Sequence, residues 1–338
     1  MFDIVTLKRV DLFWENMWVG SHLVIAGVGI ILINLYENRK SIIPEKASRV
    51  IHFWLIMAIQ FAFGGLLSTF LVFYFRSGAL VTSWPFLLIL AAVFILNEVL
   101  KYHYTRLVFQ TVIFFISTYA FAIFIVPVIV HSIDAQTFIL SGLVSLAVII
   151  VFIILLRIIA GERFKKSGKL IFFHIVGVTA IINILYFSNL IPPIPLSLKD
   201  AGIYHSIVRK AGGDYLAMSE HKDFWSFFAP QETFNKVGTE PVYVFSSIFS
   251  PTNLNTQIIH DWQFYDELNK SWRSLNKINL SIVGGRDGGF RTYSIKTVNT
   301  PGLWRVDVKT LQGQLIGRIK FKVENASTTP QLFETVLN

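Results

Sequence analysis

Six long apolar runs fill the first 191 residues, and the Lys and Arg between them fall mostly in alternate gaps. A helix needs about 20 apolar residues to cross the hydrocarbon layer of a bilayer. The runs are Trp18 to Tyr36, Val50 to Phe75, Leu80 to Leu100, Leu107 to Val130, Phe138 to Ile159 and Leu170 to Ile191. The gaps after the first, third and fifth hold Arg39, Lys40, Lys46 and Arg49, then Lys101 and Arg106, then Arg157, Arg163, Lys165, Lys166 and Lys169. The opposite set holds only Lys8, Arg9 and Arg76. Basic loops stay in the cytoplasm, so the rich set is expected inside. Six spans return the chain to its starting side, and everything after Pro192 is then expected outside the cytoplasm.

The remaining composition narrows the class. The first 191 residues carry 14 basic and 8 acidic side chains and the rest 16 and 13, against totals of 30 and 21. The formal charge of +9 therefore sits mainly in the loops beside lipid headgroups. It does not form the dense basic face that nucleic acid requires, and no nucleic-acid partner is expected. Cysteine is absent, which removes disulfides, thiolate metal sites and Cys nucleophiles. Asp3, Asp11 and Glu15 precede the first run and no small-residue cleavage motif follows it, so this run is expected to remain as a span.

Within the spans, Trp18 and Trp84 lie near run ends, where amphipathic rings prefer the headgroup level. Glu98 and Lys101, three residues apart, read as an interfacial ion pair on one helix face. Gln60 and His174, with Asn34, Gln110 and Asn183, read as bridges between helices rather than as a solute path. Gly64, Gly65 and Ser68 suit close helix contact, and Pro127 suggests a kink.

Three regions follow from the composition break: a six-helix membrane domain over 1–191, a connector over 192–240 and a β domain over 241–338. Pro192, Pro193 and Pro195 stiffen the exit from the last span. In the connector, Phe224, Trp225, Phe227 and Phe228 are expected on a short helix against the outer leaflet or the β domain. From Val242 the period changes to two. Trp304, Val306 and Val308 alternate with Arg305, Asp307 and Lys309, and Ile319, Phe321 and Val323 with Arg318, Lys320 and Lys322. Similar runs cover Val242 to Phe249, Ile258 to Tyr265, Trp272 to Val283 and Arg291 to Val298. One-faced alternation with short turns predicts an all-β antiparallel sandwich of immunoglobulin-like type, with Trp304, Val306, Ile319 and Phe321 in its core.

The run Trp304-Arg305-Val306-Asp307-Val308-Lys309-Thr310, with Gly313, Leu315-Ile316-Gly317 and Phe321 after it, carries a family resemblance. Ahead of it stand His260-x-Trp262 and Arg291-x-Tyr293-Ser294-x-Lys296. Together these resemble the bacterial domain of unknown function numbered 2914, often found after a polytopic membrane region. The resemblance implies a protein of the bacterial envelope, here of the inner membrane with its C-terminal domain periplasmic or extracellular. It brings no catalytic residues with it.

Candidate chemistry is sparse. Gly284 to Gly289 lies between strands rather than before a helix, which favours a hairpin over a phosphate cradle. His205, His221 and His260 show no metal-ligand spacing, and Asp261 points away from His260 across a strand, so structural roles are expected and no metal or cofactor. Trp262, Arg291, Tyr293 and Trp304 are the candidate binding face, with core packing as the competing role for the tryptophans. Asp200, Asp214, Glu220, His221 and Asp223 fit no catalytic template. The expected function is a non-enzymatic membrane protein presenting a β domain to a protein or glycan, with membrane lipids as its other partners. The alternatives are a transporter or channel subunit and an enzyme acting on a lipid-linked substrate.

Overall fold

The computed structural model describes residues 12–39, 44–77, 80–99, 101–193, 195–211, 214–221, 231–251, 254–283 and 289–337. The chain divides into a helical unit and a β unit, with the boundary after residue 194.

Among the described residues, six α-helices form the first unit: α1 (Phe13–Arg39), α2 (Glu45–Ser77), α3 (Leu80–Val99), α4 (Leu107–Val130), α5 (Ala135–Ala160) and α6 (Glu162–Phe187), with a 3-10 turn (Lys101–Thr105) before α4. Five of them are long and apolar enough to cross a membrane, while α3 contributes a shorter apolar stretch, Thr82–Asn97. The interior is apolar with polar groups among it, and large apolar side chains also cover the outside. Asn34, Gln110, Thr111, Ser141 and Ser145 are buried, whereas Ile158, Phe172, Phe173 and Ile184 are exposed. Water would penalise such a surface, and lipid would not.

Small residues let these helices approach. A Cβ on Gly29 would sit 2.6 Å from Cγ1 of Ile59, one on Gly65 2.6 Å from the His22 ring, and one on Gly142 2.7 Å from the Tyr119 hydroxyl. The expected bridges form in part. Asn34 Nδ2 donates to Gln110 Oε1 at 2.7 Å, linking α1 to α4, and Asn183 Nδ2 donates to the Tyr119 hydroxyl at 3.2 Å, linking α6 to α4. His174 instead bonds its own helix through Nδ1 and the Leu170 carbonyl at 2.7 Å, and it is exposed. The side chains of Glu98 and Lys101 lie outside what is described.

The Gly65 contact gives a direct test. Gly65→Ala forces the buried His22 ring to move, and is expected to destabilise the full-length protein in detergent by about 1–3 kcal/mol. Gly177→Ala on α6, which meets nothing within 4 Å, is expected to be neutral or stabilising by up to about 1 kcal/mol. Equal thermal midpoints for the two variants would refute the packing role.

Among the described residues, eleven strands build the β unit: β1 (Ser197–Tyr204), β2 (Ser206–Arg209), β3 (Tyr215–Glu220), β4 (Glu232–Lys236), β5 (Pro241–Phe249), β6 (Asn255–Asp266), β7 (Ser271–Val283), β8 (Phe290–Thr297), β9 (Gly302–Thr310), β10 (Leu315–Asn325) and β11 (Leu332–Leu337). They form sheets of order β1-β5-β8, β4-β10-β9-β6-β7 and β11-β3-β2. Pairing is antiparallel except that β4 runs parallel to β10, which corrects the purely antiparallel expectation. The segment read from sequence as a connector supplies β1 to β4. Three of its strands, β2 to β4, have only four to six residues, and β1 does not alternate in burial, so no period-two signal stands out.

One core lies between the five-stranded sheet and β1-β5-β8. It holds Trp262, Trp304, Val306, Phe321 and Val323 from the first sheet and Ile203, Val242 and Val244 from the second. Ile319 is partly buried against it. A second core packs Tyr204 and Phe245 against Ile207, Ala217 and Leu337 of the third sheet. Val244 and Phe245 thus bury opposite faces of β5, so this strand reads as a nearly continuous apolar run. The glycine loop 284–288 lies outside the described residues; its flanking strands β7 and β8 belong to different sheets. Phe224, Trp225, Phe227 and Phe228 also lie outside the described residues.

Candidate functional site

Side chains alternate across a strand, and the family-like motif uses both faces. On β6, His260 and Trp262 point into the core while Asp261 and Gln263 point out. On β9, Trp304, Val306 and Val308 point in while Arg305, Asp307 and Lys309 point out. Register aligns the outward set into a row across four strands: Lys277 of β7 opposite Asp261, Asp261 opposite Asp307, and Asp307 opposite Arg318 of β10. Two carboxylates directly opposite each other repel. Cations on both sides offset that repulsion.

Arg318 grips Asp307 with two bonds, Nε to Oδ1 at 2.5 Å and Nη2 to Oδ2 at 2.9 Å. Lys309 Nζ lies 2.7 Å from Asp261 Oδ2 and 3.3 Å from Asp307 Oδ2. Ser274 and Gln263 also donate to Asp261. Asp261 and Asp307 are only 3% and 1% exposed beneath these long side chains. Burial pushes the Asp261 carboxyl up, but the bonds from Lys309, Ser274 and Gln263 outweigh it and hold the group below the usual carboxylate range. Arg305 donates from Nε to Gln263 Oε1 at 2.8 Å, and its guanidinium lies 4.3 Å from the centre of the Trp272 ring. Tyr265 stands beside that ring at 5.2 Å. Exposed Lys277 and Lys320 flank the network and have no ion pair among the described residues. The face therefore combines aromatic surface, a stacked guanidinium and spare positive charge.

The four residues singled out from sequence do not form one face. Trp262 and Trp304 are 0% and 2% exposed, so both are core residues and are corrected from the binding role. Their indole N–H groups are already used, by Ser294 Oγ at 3.0 Å and the Thr300 carbonyl at 3.0 Å. Arg291 and Tyr293 lie on β8 in another sheet. Arg291 Nη1 donates to the Leu337 carbonyl at 3.1 Å, approaches Asp214 at 3.5 Å and sits over the Tyr215 ring at 5.6 Å. Tyr293 packs beside Tyr215 and Tyr243. This pair clamps the C-terminal strand. Trp18 and Trp84 are exposed on the helices, and Gln60 lines a cavity of about 840 Å³ with His22 and Asn97.

The histidines are structural in their contacts. His260 is fully buried, with Nε2 2.9 Å from Ser246 Oγ and Nδ1 2.8 Å from Ser294 Oγ, so it ties β6 to β5 and β8. Burial pushes its pKa down to about 4, leaving a neutral ring. Asp261 lies on the opposite face, as the strand period requires. His205 stacks on Phe234 at 4.1 Å, with Nε2 3.0 Å from Glu220 Oε1 and Nδ1 3.3 Å from Glu240 Oε1. It lines a cavity of about 290 Å³. Glu220 also accepts from the Asn235 backbone and side-chain amides, both at 2.6 Å, so its bonds are satisfied within the fold. Ser219 lines the same cavity, but its hydroxyl faces Thr335 at 3.4 Å rather than the imidazole. Among the described residues no group of three or more His, Asp and Glu is arranged to hold a metal ion.

No curated protein matches the chain. Among solved structures, a stretch of it is similar to a beta-glucosidase from Listeria innocua. In complex with glucose the identity is 12%, over 32% of this chain and 16% of that one, with a TM-score of 0.20. In complex with isofagomine the figures are 13%, 33%, 16% and 0.20, and in a third structure 11%, 33%, 16% and 0.20. The match thus spans about one sixth of those chains, and a superposition that weak carries no argument about fold or activity. Residues 255–323, from the start of β6 to Val323 of β10, match the model of a family described as a protein of unknown function, DUF2914.

Proposed function

We propose that the chain is a non-enzymatic protein of the bacterial inner membrane whose six spans anchor an extracytoplasmic, immunoglobulin-like β-sandwich extended by a third sheet. The outward face of β7-β6-β9-β10 binds an anionic glycan in this reading. The observation that carries it is Arg305 stacked on Trp272, with exposed Lys277 and Lys320, which have no ion pair among the described residues, on the same face. Aromatic rings and guanidinium planes suit the flat faces of sugars, and the spare charge selects anionic ones.

Orientation draws support from the helical unit. Arg163 donates to the Thr105 carbonyl at 2.9 Å and to Asn34 Oδ1 at 3.3 Å, and Asn38 donates to the Ile159 carbonyl. These contacts gather the three basic-rich gaps at one end of the bundle, the arrangement that the positive-inside rule assigns to the cytoplasm.

The test is retention of the full-length protein on immobilised dextran sulfate against neutral dextran. Binding is expected to weaken as salt rises. The double variant Lys277→Ala, Lys320→Ala is expected to bind at least about tenfold more weakly, a loss of about 1.4 kcal/mol. Lys270→Ala, in the exposed β6–β7 turn, serves as the control. Unchanged retention of the double variant, or equal binding to neutral dextran, would exclude the face as an anionic-glycan site.

A further inference from the structure

The helical unit holds a second candidate site, at the end where the basic gaps gather. A cavity of about 640 Å³ opens between the 3-10 turn, the start of α4 and the first half of α6. Its polar side is cationic. Arg106, Arg163 and Lys166 line it, and no carboxylate does. The nearest acid along the chain, Glu162, is occupied by Lys165 at 2.6 Å. Arg163 is fixed by its bonds to Thr105 and Asn34, whereas exposed Arg106 and Lys166 have no ion pair among the described residues. His103 also lines the cavity, and its buried Nδ1 has no hydrogen-bond partner. No side chain caps the first turn of α4, which begins at this wall, so its free N–H groups add partial positive charge.

The rest of the lining includes the apolar side chains of Val108, Phe109 and Val112 of α4 and of Leu170 of α6. On α6 the lining residues Arg163, Lys166, Ser167, Leu170 and His174 recur at three- and four-residue steps, so cations at the start of this helix face give way to Leu170 one turn on, with His174 beyond it. Water-filled clefts do not need that gradient. An amphiphile with an anionic head and an aliphatic tail matches it.

We propose that this cavity binds an anionic phospholipid of the surrounding bilayer, its phosphate between Arg106, Arg163 and Lys166 and an acyl chain along Val112 and Leu170. Arginine forks and a lysine ammonium are the usual partners of phosphate oxygens, and basic pockets between spanning helices take anionic headgroups. The inference rests on the helices lying in a membrane and is independent of the sheet face and its ligand.

The experiment is native mass spectrometry of the full-length protein in detergent, titrated with phosphatidylglycerol or phosphatidylcholine. One saturable phosphatidylglycerol adduct is expected, with at least about tenfold preference over phosphatidylcholine. The double variant Arg106→Ala, Lys166→Ala is expected to lower that affinity at least about tenfold. Lys166→Glu alone should do the same, which guards against a folding defect in the double variant. A charge-matched control, Lys165→Ala with Lys169→Ala, removes two exposed cations that do not line the cavity and should leave the adduct intact. Equal loss in this control would show diffuse attraction and overturn the site. Equal binding of phosphatidylcholine would overturn it too, as would displacement of the lipid by millimolar inorganic phosphate, which would mark a free-phosphate site instead.

Discussion

Replacing Trp304 by Ala is expected to destabilise the β unit by about 3–5 kcal/mol, the range for truncating a fully buried large aromatic. Trp304 is 2% exposed, packs on Phe264 at 5.1 Å and stands opposite Phe321 in the β9–β10 register. Truncation leaves a cavity in the layer between two sheets and also frees the Thr300 carbonyl, which now accepts from the indole at 3.0 Å. Trp304→Phe separates the two terms, since it keeps most of the apolar area and loses only the bond. Its expected cost is about 1–2 kcal/mol. Denaturant unfolding of the full-length protein, followed by tryptophan fluorescence, gives both values. A Trp304→Ala variant within about 1 kcal/mol of the parent would mean that the ring is not a core element.

The legibility of this fold varied with the number of buried faces per strand. From Val242 onward, β5 to β10 lie within a few residues of the runs visible in the sequence, because β6, β9 and β10 each carry mostly apolar side chains on one face and polar or charged ones on the other. Strands β1 to β4 give no such signal, and their sequence resembles a connector. Strand β11 (Leu332–Leu337) was missed as well: it is an edge strand paired only to β3, and four of its six residues are exposed. The six helices are legible as apolar runs, and α3 has the shortest apolar stretch of them.

The site was visible in a different sense. Asp261, Arg305, Asp307 and Lys309 all stand in the motif quoted for the family resemblance, but the eye follows its tryptophans, which are core. The useful signal was the other half of the alternation: charged residues of both signs at every second position of adjacent strands. What no sequence pattern supplied was the register that sets Asp261 opposite Asp307 and Arg318 beyond it. Arg291 likewise gave no hint that it would bond the Leu337 carbonyl and face Asp214, both far along the chain.

The buried histidine makes the β unit sensitive to mild acid. His260 is neutral between Ser246 and Ser294, and burial pushes its pKa down to about 4 from the ordinary 6.5. An unfolded chain takes up a proton at this residue below about pH 6.5, while the folded chain refuses it until about pH 4. The unfolded state therefore binds more protons across that window, and stability falls as pH falls through it. Linkage sets the full loss at about 3 kcal/mol, with no further loss from this group once both states are protonated. Asp261 acts in a separate range. Its folded pKa lies below the carboxylate value of 3.8, so its contribution persists above that value and is lost only at more acid pH. His260→Gln keeps a polar side chain between the two serines and does not titrate. The free energy of unfolding of the full-length protein, measured from pH 6.5 to pH 4.5, is expected to fall by about 2–3 kcal/mol more in the parent than in this variant. The other seven histidines and the carboxylates are common to both proteins and cancel in the difference. Parallel pH profiles for the two would show that the His260 environment does not exclude the charged ring.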